Sequence, residues 1–182
     1  KLTRGLIDSD MGIAWTTHMR FEKSLLEDQV WQDAKESGCK YLHFGYESGN
    51  ERVLKLMDKA TTTAIMTEHL KRTAEAGIWN HCMGFFGFPG ETREEAWSSV
   101  QFLEQNKDYV HSLGFGTFDL GRHNPVANHP EKFGVTAYKN PEWDLALDYY
   151  FTVKQGLSIE EAERVFEERS EEHTSELQSR QY

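Results

Sequence analysis

Short apolar runs alternate along the chain with longer segments in which apolar residues recur every three to four positions. Tyr41–Tyr46 and Asn80–Phe86 are two such runs, and each ends in a glycine-containing polar turn: Glu47-Ser48-Gly49-Asn50 and Gly87-Phe88-Pro89-Gly90-Glu91. Each turn opens into a segment of helical period. A buried strand, a tight turn and an amphipathic helix, repeated, predict βα units and a parallel sheet. Gly12–Thr17 reads as an earlier strand and Ser112–Phe118 as a later one. Between them, four helices follow from the pattern. One opens at a capping box, Ser24-Leu25-Leu26-Glu27, buries Leu26, Val30 and Ala34, and stops at Gly38. A short one from Asn50 buries Val53, Leu54 and Met57, and a longer one from Thr61-Thr62-Thr63 buries Met66, Leu70 and Ala74 before Gly77. A second capping box, Thr92-Arg93-Glu94-Glu95, starts a helix with Ala96, Val100 and Leu103 inward. Strand starts recur at the roughly 30-residue interval of a (β/α) barrel. The expected fold class is α/β, a parallel half barrel.

After Phe118 the pattern breaks into a loop over Asp119–Pro141, and Trp143–Phe151 fits helix or strand equally. A third capping box, Ser158-Ile159-Glu160-Glu161, precedes inward Ala162, Val165 and Phe166. Arg169–Ser179, RSEEHTSELQS, resembles the translation of a short-read sequencing adapter, and a disordered tail is expected there. The expected organisation is a partial core barrel over 1–135, the start of a C-terminal helical extension over 136–168, and the adapter-like tail over 169–182.

Composition narrows the function classes. The formal net charge of -10 argues against a nucleic-acid backbone as partner. No apolar run approaches the roughly 20 residues of a membrane span, and a cytoplasmic location is expected. The opening Lys1-Leu2-Thr3-Arg4-Gly5 has no signal-peptide character and reads as a helix entered midway. Two cysteines, Cys39 and Cys82, each at or in an expected strand, read as small buried hydrophobes. No histidine pair has the HExxH spacing of a zinc hydrolase.

In parallel sheets ligands sit at the carboxyl ends of strands, which directs attention to the two turns. Glu47 is either a ligand for hydroxyl or amino groups or a cap for the helix that follows. His18 and Arg20 end the first expected strand, and Arg122 and His123 lie in the loop after the last. GYESGNERVLKLMDK followed by GFFGFPGETREEA resembles the radical SAM enzymes, especially the members with a cobalamin-binding domain. That resemblance implies strands three to six of a partial (β/α)6 TIM-type barrel. It also implies S-adenosylmethionine, a 4Fe-4S cluster and, in those members, cobalamin. The implied activity is reductive cleavage of S-adenosylmethionine to a 5′-deoxyadenosyl radical, serving methylation or rearrangement of a small-molecule substrate. The implied partners are the remainder of the barrel and an electron donor such as flavodoxin or ferredoxin.

Carried over residue by residue, the resemblance places Glu47, Ser48, Gly49, Lys59, Phe85 and Gly87 at the cofactor. Glu47 would meet ribose hydroxyls or the methionyl amino group, Lys59 the methionyl carboxylate, and Phe85 and Gly87 the adenine. His18, Arg20, Arg122 and His123 would lie on the substrate side. The family's C-x3-C-x2-C cluster loop has no counterpart in this sequence, so the cluster ligands are expected outside it, and the chain alone is expected to be inactive. Two other readings of the residues stand beside this one: a metal-assisted hydrolase or lyase using Glu47, His18 and His123, and a half-barrel binding module.

Overall fold

The computed structural model describes residues 1–138 and 147–168. The chain divides into two compact units: Lys1–Gly84 with Gln101–Gly114, and Phe85–Val100 with the described residues from Phe115 onward.

The first unit opens with α1 (Leu2–Ser9) and β1 (Trp15–Met19), followed by α2 (Asp28–Glu36) and β2 (Cys39–Glu47). Then come α3 (Glu51–Leu56), α4 (Thr63–Glu75) and β3 (Trp79–Phe86). Beyond them α5 (Arg93–Gln105) leads to β4 (Ser112–Thr117). The sheet order is β1-β2-β3-β4, with β1, β2 and β3 parallel neighbours, as the repeated strand–turn–helix pattern predicts. Alternation divides the faces of β2. Leu42, Phe44 and Tyr46 are buried, whereas Tyr41, His43, Gly45 and Glu47 are half-buried. The buried face packs in a core that includes Val53, Leu54, Met66, Leu70 and Ile78. Trp31 and His69, neither of them anticipated as core, are fully covered too and meet edge to face.

The second unit carries the end of β3 and the start of α5, then β5 (Leu120–Gly121), α6 (Pro125–Asn128), β6 (Val135–Tyr138) and β7 (Asp148–Val153). A further helix, α7, occupies 159–168. β5, β7 and β6 form a three-stranded antiparallel sheet in that order. Phe86, Ala96, Leu157, Ala162 and Val165 form one core cluster, and Phe118 meets Phe88 and Phe151 edge-on.

Four expectations change. The first strand starts at Trp15 rather than Gly12, because Gly12 turns at positive φ and Ile13 passes tightly over Gly38, where a Cβ would lie 1.9 Å from the Ile13 carbonyl oxygen. The Ser24 capping box does not form. Lys23–Leu25 is a single 3-10 turn, and α2 begins only after extended Glu27. The Glu22 carbonyl just before is held by His69 Nε2 at 2.9 Å, which fixes the backbone short of the expected helix start. The expected loop over Asp119–Pro141 contains β5, α6 and β6. Where a helical extension is expected from 136, β6 and β7 pair instead, with Phe151 buried, and among the described residues of that range α7 is the helix. The tail expectation for 169–182 falls outside the described residues.

Candidate functional site

Glu47, the last residue of β2, sits at φ 62, a left-handed conformation that costs a non-glycine residue on the order of 1–3 kcal/mol. The strain coincides with an irregularity in the ladder: Gly45 pairs with Met83, but Glu47 pairs with Gly84. Such a bulge re-aims a side chain. Here the carboxylate folds back over its own strand, and a Cβ on Gly45 would stand 3.0 Å from Oε1. Gly45 therefore makes room for the acid two residues later.

Lys59 Nζ lies 2.9 Å from Glu47 Oε1, with both side chains partly exposed. The chain brings Lys59 back in a definite way. α3 closes at Met57, Asp58 takes φ 56, and the amides of Asp58 and Lys59 donate to the carbonyls of Lys55 and Leu54. This is the two-bond Schellman closure, with an aspartate where glycine is usual. The capping alternative for Glu47 is answered too. Asn50 caps α3 with its own side chain, accepting from the amides of Arg52 and Val53. Ser48 is buried, and its Oγ accepts from the Asn50 amide at 3.2 Å. Gly49 completes the turn between them.

The second turn is built differently. Glu91 is fully buried, and its Oε2 accepts from the Gly87 amide at 2.6 Å. Its carbonyl accepts from the Leu157 amide at 2.8 Å, and Gly156 lies so close that a Cβ there would stand 2.7 Å from that oxygen. Gly87, expected to let adenine approach, has φ 84, and a Cβ on it would meet Ala162 Cβ at 2.7 Å. The space left by its missing side chain is taken by α7, which corrects the expectation. Of the three clustered phenylalanines, Phe86 and Phe88 are buried, and Phe85 is half-buried beside Phe118 at 5.6 Å between ring centroids.

His18 is exposed and stacks on His43 at 4.7 Å, and Arg20, also exposed, follows β1. Arg122 donates its amide to the Leu147 carbonyl just after β5, and His123 next to it is exposed. His43 and His81, missed as site candidates, lie in register with His18. The signal was present in the sequence as one histidine on the same side of each of three alternating strands.

An iron–sulfur cluster does not fit these residues. Cys39 and Cys82 are fully buried, and burial pushes the Cys82 thiol up to about 12 and raises Cys39 as well. Cluster ligands are thiolates. Among the described residues no group of three or more His, Cys, Asp and Glu side chains could hold a metal ion. No helix among the described residues is long and apolar enough to cross a membrane. S-Adenosylmethionine is a different case. A strained carboxylate held beside an ammonium presents an acceptor and a cation side by side, the complement of an amino-acid zwitterion.

Comparison with known proteins points the same way. An uncharacterized methyltransferase of Pyrococcus horikoshii is 32% identical over 97 residues, 52% of this chain and 20% of the relative. Cytidylyl-2-hydroxyethylphosphonate methyltransferase of Streptomyces wedmorensis is 26% identical over 152 residues, covering 81% of this chain and 28% of that protein. The chain thus spans between a fifth and a third of the length of these relatives. Among solved structures, the radical S-adenosylmethionine methyltransferase TsrM of Kitasatospora setae, with cobalamin and a [4Fe-4S] cluster bound, superposes with a TM-score of 0.63. That match has 15% identity and covers 77% of this chain and 30% of TsrM, a likeness of fold. Residues 4–103, more than half of the sequence, match the model of the radical SAM superfamily, and the chain belongs to that family of enzymes.

Proposed function

We propose that this chain is the part of a radical SAM methyltransferase that holds the methionyl end of S-adenosylmethionine, through Glu47 and Lys59 at the carboxyl end of β2. The observation that carries the reading is the bulged, strained Glu47 paired with Lys59. Backbone strain at a half-exposed carboxylate has no folding benefit of its own, and such strain gathers at ligand sites. Glu47 accepts from the amino group or ribose, Lys59 pairs with the carboxylate, and Ser48 and Gly49 shape the turn. Phe85 and Gly87 belong to the second unit, where Gly87 serves α7. The strands correspond to three to six of the family's barrel, and the cluster belongs to residues outside this chain.

Methylation is favoured over rearrangement because the Pyrococcus horikoshii and Streptomyces wedmorensis relatives are named as methyltransferases. Cobalamin is the expected second cofactor, by likeness to TsrM. The substrate is a small molecule on the side of His18 and Arg20, and the whole protein works in the cytoplasm with a flavodoxin- or ferredoxin-type electron donor. Residues 1–135 are assigned to the barrel.

Calorimetric titration of S-adenosylmethionine tests the pocket. Glu47→Gln keeps the shape and removes the charge. Losing a charge-assisted bond costs about 1.5–3 kcal/mol, a loss of about tenfold to a hundredfold in affinity. The half-exposed ion pair itself contributes only about 0–1 kcal/mol, so the melting temperature should hold. Glu47→Gly relieves the strain and adds backbone entropy to the unfolded chain, and it too should fold about as stably while binding poorly. Lys59→Met should weaken binding, and less than additively in the Glu47→Gln background. Full affinity in the Glu47→Gln and Lys59→Met single variants would refute the assignment.

A further inference from the structure

Three imidazoles stand in one row across three adjacent strands. The parallel register pairs His18 with His43 and His43 with His81. His18 and His43 stack with centroids 4.7 Å apart, and His43 meets His81 edge-on at 5.3 Å. All three lie on the half-exposed face of the sheet, opposite buried Leu42, Phe44 and Cys82.

A hydroxyl hub anchors one end of the row. Ser112 Oγ lies 2.7 Å from Tyr41 OH, 2.8 Å from His81 Nδ1 and 3.4 Å from Trp79 Nε1. The indole can only donate. The hub engages His81 Nδ1, and Nε2 is the ring nitrogen left outside it. A Cβ on Gly114 would stand only 2.9 Å from Nε2, so the missing side chain keeps that nitrogen clear.

We propose that the His18–His43–His81 row is an oxyanion-binding strip that takes a phosphate-, phosphonate- or sulfate-type group. Assigning that group to the substrate rests on the radical SAM reading. Among the described residues, no unbalanced acid faces the row. β2 contributes the Tyr41 phenol and, further along the same face, Glu47, whose charge Lys59 offsets. β3 contributes Trp79 beside His81 itself, and β4 contributes Ser112 and Gly114. Arg20 follows β1 and adds positive charge. Burial, and then the charges of His43 and His18, hold the His81 imidazole below its ordinary value. Each protonated ring opposes the next, and a bound dianion relieves that opposition. Binding is therefore coupled to proton uptake.

Sulfate is the probe, because it stays doubly charged across the range used. Protein carrying ¹⁵N-histidine is titrated with sodium sulfate at constant ionic strength between pH 6 and 8, and side-chain nitrogen resonances are followed. Sulfate should move the His18, His43 and His81 signals and leave buried His69 in place. The affinity should fall as the pH rises from 6 to 8, because a charged imidazole holds a dianion better than a neutral one. His43→Gln should weaken sulfate about tenfold, and His18→Gln, at an exposed position that does not endanger folding, should weaken it as well. Unmoved row signals, equal affinity at pH 6 and 8, or full affinity in both variants would overturn the proposal. S-Adenosylmethionine titrated into the same samples reports the Glu47 pocket separately, so a failure of that reading is seen apart from a failure of this one.

Discussion

His69 lies in the core with Nε2 donating to the Glu22 carbonyl at 2.9 Å and Nδ1 buried without a hydrogen-bond partner. Charging this ring would place a proton on Nδ1, away from water and facing Phe21 and Trp31 edge-on. Burial accordingly lowers its pKa from the ordinary value. In the unfolded chain the same imidazole titrates near 6.5. The unfolded state then binds more protons in mild acid, so the stability contribution is fully present above about pH 6.5 and is lost as pH falls. The urea midpoint should drop between pH 8 and 5. His69→Gln keeps a donor for Glu22 and should flatten that slope by up to one proton, about 1.4 kcal/mol per pH unit. A smaller slope of the same sign should persist, because His81 and His111 are also lowered, chiefly by burial. An unchanged slope in His69→Gln would show that the ring already carries its proton in the folded state. None of this is legible in the sequence, where His69 is one polar letter within a helical segment. Its burial depends on Phe21 and Trp31, supplied from far along the chain.

At the scale of elements, three segments carry the same capping-box lettering and only two form it. Thr92 Oγ1 accepts from the Glu95 amide at 3.3 Å, and Glu95 Oε2 accepts from the Thr92 amide at 2.9 Å. Ser158 and Glu161 exchange the matching pair at 3.2 and 2.8 Å. Ser24 and Glu27 flank a 3-10 turn instead. Losing a formed cap costs about 0.5–2 kcal/mol. Thr92→Ala and Ser158→Ala should each lower chemical stability by that amount, while exposed Ser24→Ala should leave it unchanged; equal losses at all three would mean that the local motif governs regardless of its surroundings. The elements that sequence reading recovered, β2, β3 and the helices after them, are those whose apolar period and terminal glycines agree. β5 and β6, which it missed, and β7, whose segment it left open between helix and strand, are short antiparallel pairings between segments that give no local sign of each other. The site divides likewise. Glu47 could be read from its place at a strand end, but its ion pair with Lys59 depends on a left-handed Asp58 that local rules assign to glycine.

For the molecule as a whole, the parallel sheet and one end of a cofactor pocket do not make a redox centre. Reduction of S-adenosylmethionine in this family depends on a cluster held chiefly by cysteine thiolates, and this chain has two cysteines in all. Cys39 begins β2 in register with Trp15, and Cys82 lies inside β3 in register with Phe44. Both are fully covered, and at about 12 the Cys82 thiol stays protonated at any working pH. A thiol in that state is neither a nucleophile nor a metal ligand. Exposing Cys82 would break the face on which its register partner Phe44 is buried. The 182-residue chain, reconstituted anaerobically with iron and sulfide and then reduced with S-adenosylmethionine present, should therefore retain no stoichiometric iron and form no 5′-deoxyadenosine. Its remaining competence should be binding alone, visible as Glu47-dependent retention of the intact cofactor. Product formed in proportion to protein would overturn the placement of both cysteines and the assignment of the cluster to residues outside the chain.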